Sequence, residues 1–198
     1  MIDTLPVHHL SRVLSILNRG EVVAFPTGTS YGLAVNALNA DALKRLTDLK
    51  GRAAEKAYTL LLPAEGVDQF VELRPQESTA LQTFANVPLT LLVKPKPPLA
   101  HLAKDGFVGV RTADHPFTKE LAKEVKYPIT ATSANTSGNP PGYSVDDLIK
   151  AFPKESFMAV DGGVLPQRPP STIAKWTGSG WEIVREGGLK PFELKKIT

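Results

Sequence analysis

The sequence contains no cysteine. Disulfides and thiolate chemistry are therefore excluded, and the usual thiolate ligands of a structural zinc site are missing. No apolar run approaches the ~20 residues that a membrane-spanning helix needs. Met1-Ile2-Asp3-Thr4-Leu5-Pro6 carries neither the basic flank nor the apolar stretch of a signal peptide. The cytoplasm is accordingly the expected compartment, with no membrane contact. No polybasic block, no basic stripe interleaved with aromatics and no GxxxxGKS/T run is present, which argues against a dedicated nucleic-acid binder and against a Walker-type phosphate loop. Of the four histidines, His8 and His9 are adjacent, and His101 and His115 stand in no metal-ligand spacing. All are read as surface or packing residues.

What remains is an ordinary globular composition. The chain has 198 residues, 42% of them hydrophobic, with a mean hydropathy of −0.10, enough for a packed core. A formal charge of +3 and a pI near 9.1 fit an anionic ligand, a nucleic acid, or neither.

Hydrophobic periodicity gives alternating elements. Leu10, Val13, Leu14 and Leu17 predict a helix ended by Gly20, and residues 21–25 a buried strand stopped by Pro26. After a polar loop, Asn39 or Asp41 caps a helix carrying Leu43, Leu46 and Leu49. Strands are predicted over 58–62, 89–93, 107–111, 128–132 and 157–160. Helices are predicted over 67–73, 75–85, 116–125 and 145–152, and a loop over 94–98. Residues 171–176 and 181–185 around Thr177-Gly178-Ser179-Gly180 read as a hairpin. The pattern specifies one α/β domain over residues 1–198, with a twisted sheet of mixed parallel and antiparallel strands.

Four polar clusters sit at element ends. Pro26-Thr27-Gly28-Thr29-Ser30-Tyr31-Gly32-Leu33 follows a strand with small and hydroxylated residues that let backbone N–H groups approach a ligand. Lys50-Gly51-Arg52 places two cations after a helix, where they suit a phosphate or simply the helix dipole. Thr130-Ala131-Thr132-Ser133-Ala134-Asn135-Thr136-Ser137-Gly138 ends a strand in hydroxyls and an amide, either a ligand site or a set of local caps. Arg111 and Arg185 close strands and can point into a crevice, with Ser171-Thr172 nearby.

In register, these motifs resemble the YrdC-like family, from Pro26 to Gly187. The resemblance rests on Pro-Thr-x-Thr-x-Tyr-Gly-Leu at Pro26–Leu33, Lys-x-Arg at Lys50 and Arg52, and Ser-x-Asn at Ser133 and Asn135. The Gly-Val-Arg strand ending at Arg111, Ser171-Thr172, and the Arg-x-Gly at Arg185 complete it. It implies an α/β fold around a deep, basic cavity. The implied activity is synthesis of threonylcarbamoyl-AMP from L-threonine, bicarbonate and ATP, with pyrophosphate released. The adenylate would pass to the machinery that makes threonylcarbamoyladenosine in tRNA. By resemblance, Thr27, Tyr31, Arg111 and Ser171 would contact threonine. Lys50, Arg52, Ser133, Asn135 and Arg185 would contact the nucleotide, with Lys50 and Arg52 offsetting charge in catalysis. Mg²⁺ would be held by phosphates and water, without a protein carboxylate cage. The chain departs from the family pattern at Ala53 and Lys56, at Leu60-Leu61-Leu62 where a histidine is common, and over Phe84–Thr90. Those departures keep a second implication open: a YciO-like paralogue that binds nucleotide, tRNA or double-stranded RNA without this chemistry.

Overall fold

Burial decides where the strands lie. The computed structural model describes residues 1–51 and 58–197. Its first half comprises β1 (Ile2–Pro6), α1 (Leu10–Asn18), β2 (Val23–Pro26), β3 (Tyr31–Ala34), α2 (Ala40–Lys50), β4 (Thr59–Leu61), β5 (Val71–Glu72), α3 (Pro75–Thr83) and β6 (Leu89–Pro95). Then follow β7 (Val108–Arg111), α4 (Pro116–Glu124), β8 (Ile129–Thr130), β9 (Thr132–Ser133), α5 (Val145–Ala151), β10 (Phe157–Asp161), β11 (Thr172–Trp176), β12 (Trp181–Arg185) and α6 (Pro191–Leu194).

The single mixed sheet expected from the sequence divides into two. One has the order β1-β10-β2-β3-β9; the other runs β12-β11-β6-β7-β4-β8, with β5 on the edge of β6. Each contains parallel and antiparallel neighbours: β1, β10 and β2 are parallel, whereas β2–β3 and β6–β7 are antiparallel. The predicted hairpin is β11–β12, with a register shift between Ile173 and Ala174. The stretch read as one strand over 128–132 serves both sheets. Ile129 and Thr130 pair with β4, while Thr132 and Ser133 pair with β3. The Thr130 hydroxyl donates to Leu33 O at 3.3 Å and accepts from Val35 N at 3.0 Å, so the split costs no unsatisfied donor there.

Three other expectations are corrected. Pro26 ends β2 as expected, but the polar stretch after it is not all loop: β3 begins five residues later and returns against β2, all of it buried. The helical spacing of Val67, Phe70, Val71 and Leu73 resolves into a single 3₁₀ turn, Val67–Gln69, and then β5. A run this short cannot distinguish one turn plus a strand from a helix. The loop predicted over 94–98 is shorter, since β6 runs to Pro95 and a 3₁₀ helix spans Pro97–Leu102. Caps explain the helix ends. The Asn39 side chain accepts from Ala42 N at 3.0 Å to start α2, and Gly51, at φ +54°, ends it.

Two apolar clusters hold the layers. One joins both sheets through Ala24, Leu33, Leu60, Leu91 and Val110. The other packs α1 and α4 on the first sheet through Val13, Leu17, Phe25, Phe117 and Leu121. Among the described residues no helix is long and apolar enough to cross a membrane.

Candidate active site

Where the two sheets part, their strand ends and connecting turns enclose a cavity of about 430 Å³. That lies within the ~300–1,000 Å³ usual for small-molecule sites. Its first wall is the turn between β2 and β3. Thr27 is 3% exposed. Its hydroxyl donates to Ser30 O at 2.7 Å and accepts from Thr29 N at 3.3 Å, shaping its own turn. Tyr31 is fully buried. Its hydroxyl donates to Gly163 O and accepts from Gly162 N, each at 2.9 Å, tying this turn to the loop after β10. Burial raises the phenol above its ordinary pKa, which keeps the donor protonated.

The second wall is the Ser133–Asn139 loop after β9, and Lys50 supports it from behind. The ammonium donates to Ser133 O and, at 2.8 Å, to Asn135 O, and the Lys50 carbonyl accepts from Ser137 N at 2.8 Å. Lys50 is 4% exposed and is not among the described residues that line the cavity. The Asn135 amide is equally committed: Nδ2 donates to Thr136 O at 2.9 Å and Asn139 O at 2.6 Å, and Oδ1 accepts from Ser133 Oγ. Ser133 and Asn135 themselves face the cavity. Arg52 lies outside the described residues.

Arginines supply the remaining wall. Arg111, at the end of β7, donates through one nitrogen, Nη2, to both Asp114 oxygens at 3.1 and 3.2 Å. Arg185, at the end of β12, donates to Ser171 O at 2.7 Å and Ser171 Oγ at 3.0 Å, and Ser171 Oγ accepts from Thr90 at 2.9 Å. Burial, and then the neighbouring Arg111 charge, lower the Arg185 pKa. Two cations thus repel one another across a space that an anion would fill. Arg185 reaches Ser171 because Gly187 passes against the chain before β11. A Cβ at Gly187 would stand 2.1 Å from Pro170 O.

The structure therefore brings Thr27, Tyr31, Arg111, Ser133, Asn135, Ser171 and Arg185 to one cavity. It also adds residues that the sequence reading did not select: Thr29, Ser30, Thr59, Tyr143 and the exposed Arg168. Thr29 and Ser30 stood inside a quoted motif. Arg168 sits in a proline-rich loop, and only the fold shows that the loop passes over the site. The described lining residues include three arginines and no carboxylate. A roomier cleft of about 600 Å³ between α3 and α4 is mostly apolar, with Arg111, Lys119 and Lys123 among its lining residues. No group of three or more His, Asp or Glu side chains able to hold a metal occurs among the described residues.

Fold and site together define a mixed α/β protein with an arginine-lined cavity at its strand ends. Residues 15–187 match the Sua5/YciO/YrdC family, which carries the description "Telomere recombination". A threonylcarbamoyl-AMP synthase of Haemophilus influenzae is 31% identical over 168 residues, 82% of this chain and 91% of the relative. A threonylcarbamoyl-AMP synthase of Bacillus subtilis is 30% identical over 195 residues, 95% of this chain and 56% of the relative. The crystal structure of P. abyssi Sua5 complexed with L-threonine superposes with a TM-score of 0.84 at 28% identity, over 100% of this chain and 60% of that one. The chain belongs to the Sua5/YciO/YrdC family. It spans little more than half the length of the last two relatives.

Proposed function

We propose that this chain is an L-threonylcarbamoyladenylate synthase, a nucleotidyltransferase. It would condense L-threonine, bicarbonate-derived CO₂ and ATP, release pyrophosphate, and supply the adenylate for threonylcarbamoyladenosine in tRNA. The observation that carries this reading is the cavity lined by Arg111, Arg168 and Arg185, with hydroxyls and no carboxylate among its described lining residues. Membership of a family with synthases of this name supports it.

The chemistry suits such a site. The threonine amine bonds to CO₂ and loses a proton, giving a carbamate. A carbamate oxygen then attacks the α-phosphorus, and the bond to the β-phosphate oxygen breaks as pyrophosphate departs. The threonine carboxylate, the carbamate and the triphosphate are all anions, so fixed cations and aligned donors lower the barrier by offsetting their repulsion and holding them together. Arg111 with Ser171 is assigned to the amino acid's carboxylate, and Thr27 and Tyr31 frame that end of the cavity. Arg185, Ser133 and Asn135 are assigned to the nucleotide, with Arg52 completing the phosphate contacts. Lys50 acts by fixing the Ser133–Asn135 loop. The described residues lining the cavity include no carboxylate, so a divalent ion would arrive on the triphosphate.

Pyrophosphate release should require ATP, L-threonine and bicarbonate together, and omission of any one should reduce it to background. Release indifferent to threonine would overturn the substrate assignment. ATP binding with no release under any combination would favour the nucleotide-binding paralogue.

A further inference from the structure

One carboxylate at the site touches both sides of the cavity without lining it. Asp114 precedes α4, and its side chain is 1% exposed, beside an Arg111 side chain that is 10% exposed. Its Oδ1 accepts from the Gly28 N–H at 3.2 Å, 86 residues away in sequence, and from Arg111 Nη2 at 3.1 Å. The helix cap does not need it, because the neighbouring His115 caps α4 by accepting from Phe117 N at 3.1 Å. Gly28 is fitted to the carboxylate: a Cβ there would stand 2.5 Å from Asp114 Oδ2. Arg111 gives Asp114 only Nη2, and its Nε and Nη1 have no partner among the described residues, although Arg111 lines the cavity. A buried carboxylate that holds one corner of a guanidinium restrains where it sits and leaves the other N–H groups for a second anion. It also restrains Arg111 against the repulsion of Arg185, which would otherwise drive the two apart.

We propose that Asp114 is a positioning residue: it aims Arg111 at the carboxylate of the amino-acid substrate and locks that aim to the Thr27–Ser30 turn through Gly28. This rests on the reading of the cavity as the site where threonine and ATP meet. Asp114→Asn is the incisive variant. It keeps Oδ1 as acceptor for Gly28 N–H and Arg111 Nη2, but removes the negative charge and puts an NH₂ against Nη2 in place of Oδ2.

Steady-state pyrophosphate release, varied in threonine and in ATP separately, reads the outcome. D114N should raise the threonine KM by tenfold or more and leave the ATP KM within twofold. Asp114→Glu, which keeps the charge on a longer arm, should recover part of that loss. A folded D114N whose two KM values are unchanged, or rise together, would overturn the proposal. If D114N does not fold, D114E carries the test alone: its threonine KM should rise at least threefold with the ATP KM unmoved, and no selective rise overturns the proposal. A wild type whose release ignores threonine fails at the earlier step and overturns the activity reading. A threonine-dependent wild type with an unselective D114N overturns only the positioning role.

Discussion

Lys50 shows how a side chain can matter to a site without facing it. Its ammonium sits among the carbonyls of Ser133 and Asn135, and its own carbonyl holds Ser137 N, so one residue fixes the whole loop after β9. Lys50→Met keeps the apolar stem and removes the donors. The buried carbonyls would lose a charged partner at about 1–3 kcal/mol each. For the two carbonyls together that is about 2–6 kcal/mol, which in a chain of this size corresponds to a fall in Tm of roughly 5–20 °C. Thermal unfolding should show this fall together with a collapse of turnover. Full stability with lost turnover would instead mean that the ammonium serves the ligand directly. The residue types at the site were legible in the sequence, because strand ends rich in hydroxyls and cations are where ligands bind in such folds. Their orientations were not. Thr27, Tyr31, Lys50 and Asn135 stood in motifs that suggest ligand contacts, yet their polar atoms are largely spent on backbone groups 1–132 residues away along the chain. Asp114 and Arg168 carried no motif, since what marks them is only what the fold places beside them.

Among the elements, α4 has a start that titrates. His115 Nδ1 accepts from Phe117 N, and Thr118 Oγ1 accepts from His115 N at 3.2 Å. Burial lowers the imidazole pKa first, the charges of Arg168 and Lys119 lower it further, and Asp114 opposes them. A histidine whose native pKa lies below its unfolded value of about 6.5 binds fewer protons folded than unfolded. Its contribution is therefore complete above that unfolded value and is lost as the pH falls through the depressed native one. Protonation also fills the lone pair that caps the helix, a bond worth about 1 kcal/mol. His115→Asn supplies a cap oxygen that does not titrate. The drop in Tm between pH 7.5 and pH 5 should be smaller in H115N than in the wild type, and an identical drop would remove His115 from the acid response. The helices were readable from their apolar spacing, and α2 also from its Asn39 cap; the His115 cap of α4 and the Ser144 cap of α5 emerge only in the structure. The short strands were not. β3 has only four residues and β8 and β9 have two each, too few to show a period of two. The division into two sheets turns on Ala131, where the chain leaves β4 for β3. Nothing in Ile129-Thr130-Ala131-Thr132 marks that exchange in advance.

At the scale of the molecule, the cavity is a gap between two sheets lined by cations that repel one another. A bound anion should therefore act as a cross-brace as well as a substrate. Ligand that binds only the folded chain adds about 2.7 kcal/mol at a hundredfold excess over Kd, which at this size raises Tm by about 5–10 °C. ATP should give such a rise. Part of it should depend on Arg168, which is exposed and lines the cavity from the loop after β10, so its field is weakened by salt far more than that of Arg111, held half-sequestered by Asp114. Arg168→Gln should leave the Tm of the empty protein within about 1 °C, because surface substitutions away from packing contacts cost little. The same variant should shrink the ATP-induced rise at low ionic strength and flatten its decline as salt is added from 0.05 to 0.5 M, on the order of the span over which screening becomes strong. An ATP-induced rise with the same size and the same salt dependence in R168Q would place Arg168 outside the nucleotide's reach. The cavity's attraction for anions would then rest on Arg111 and Arg185 among the described residues.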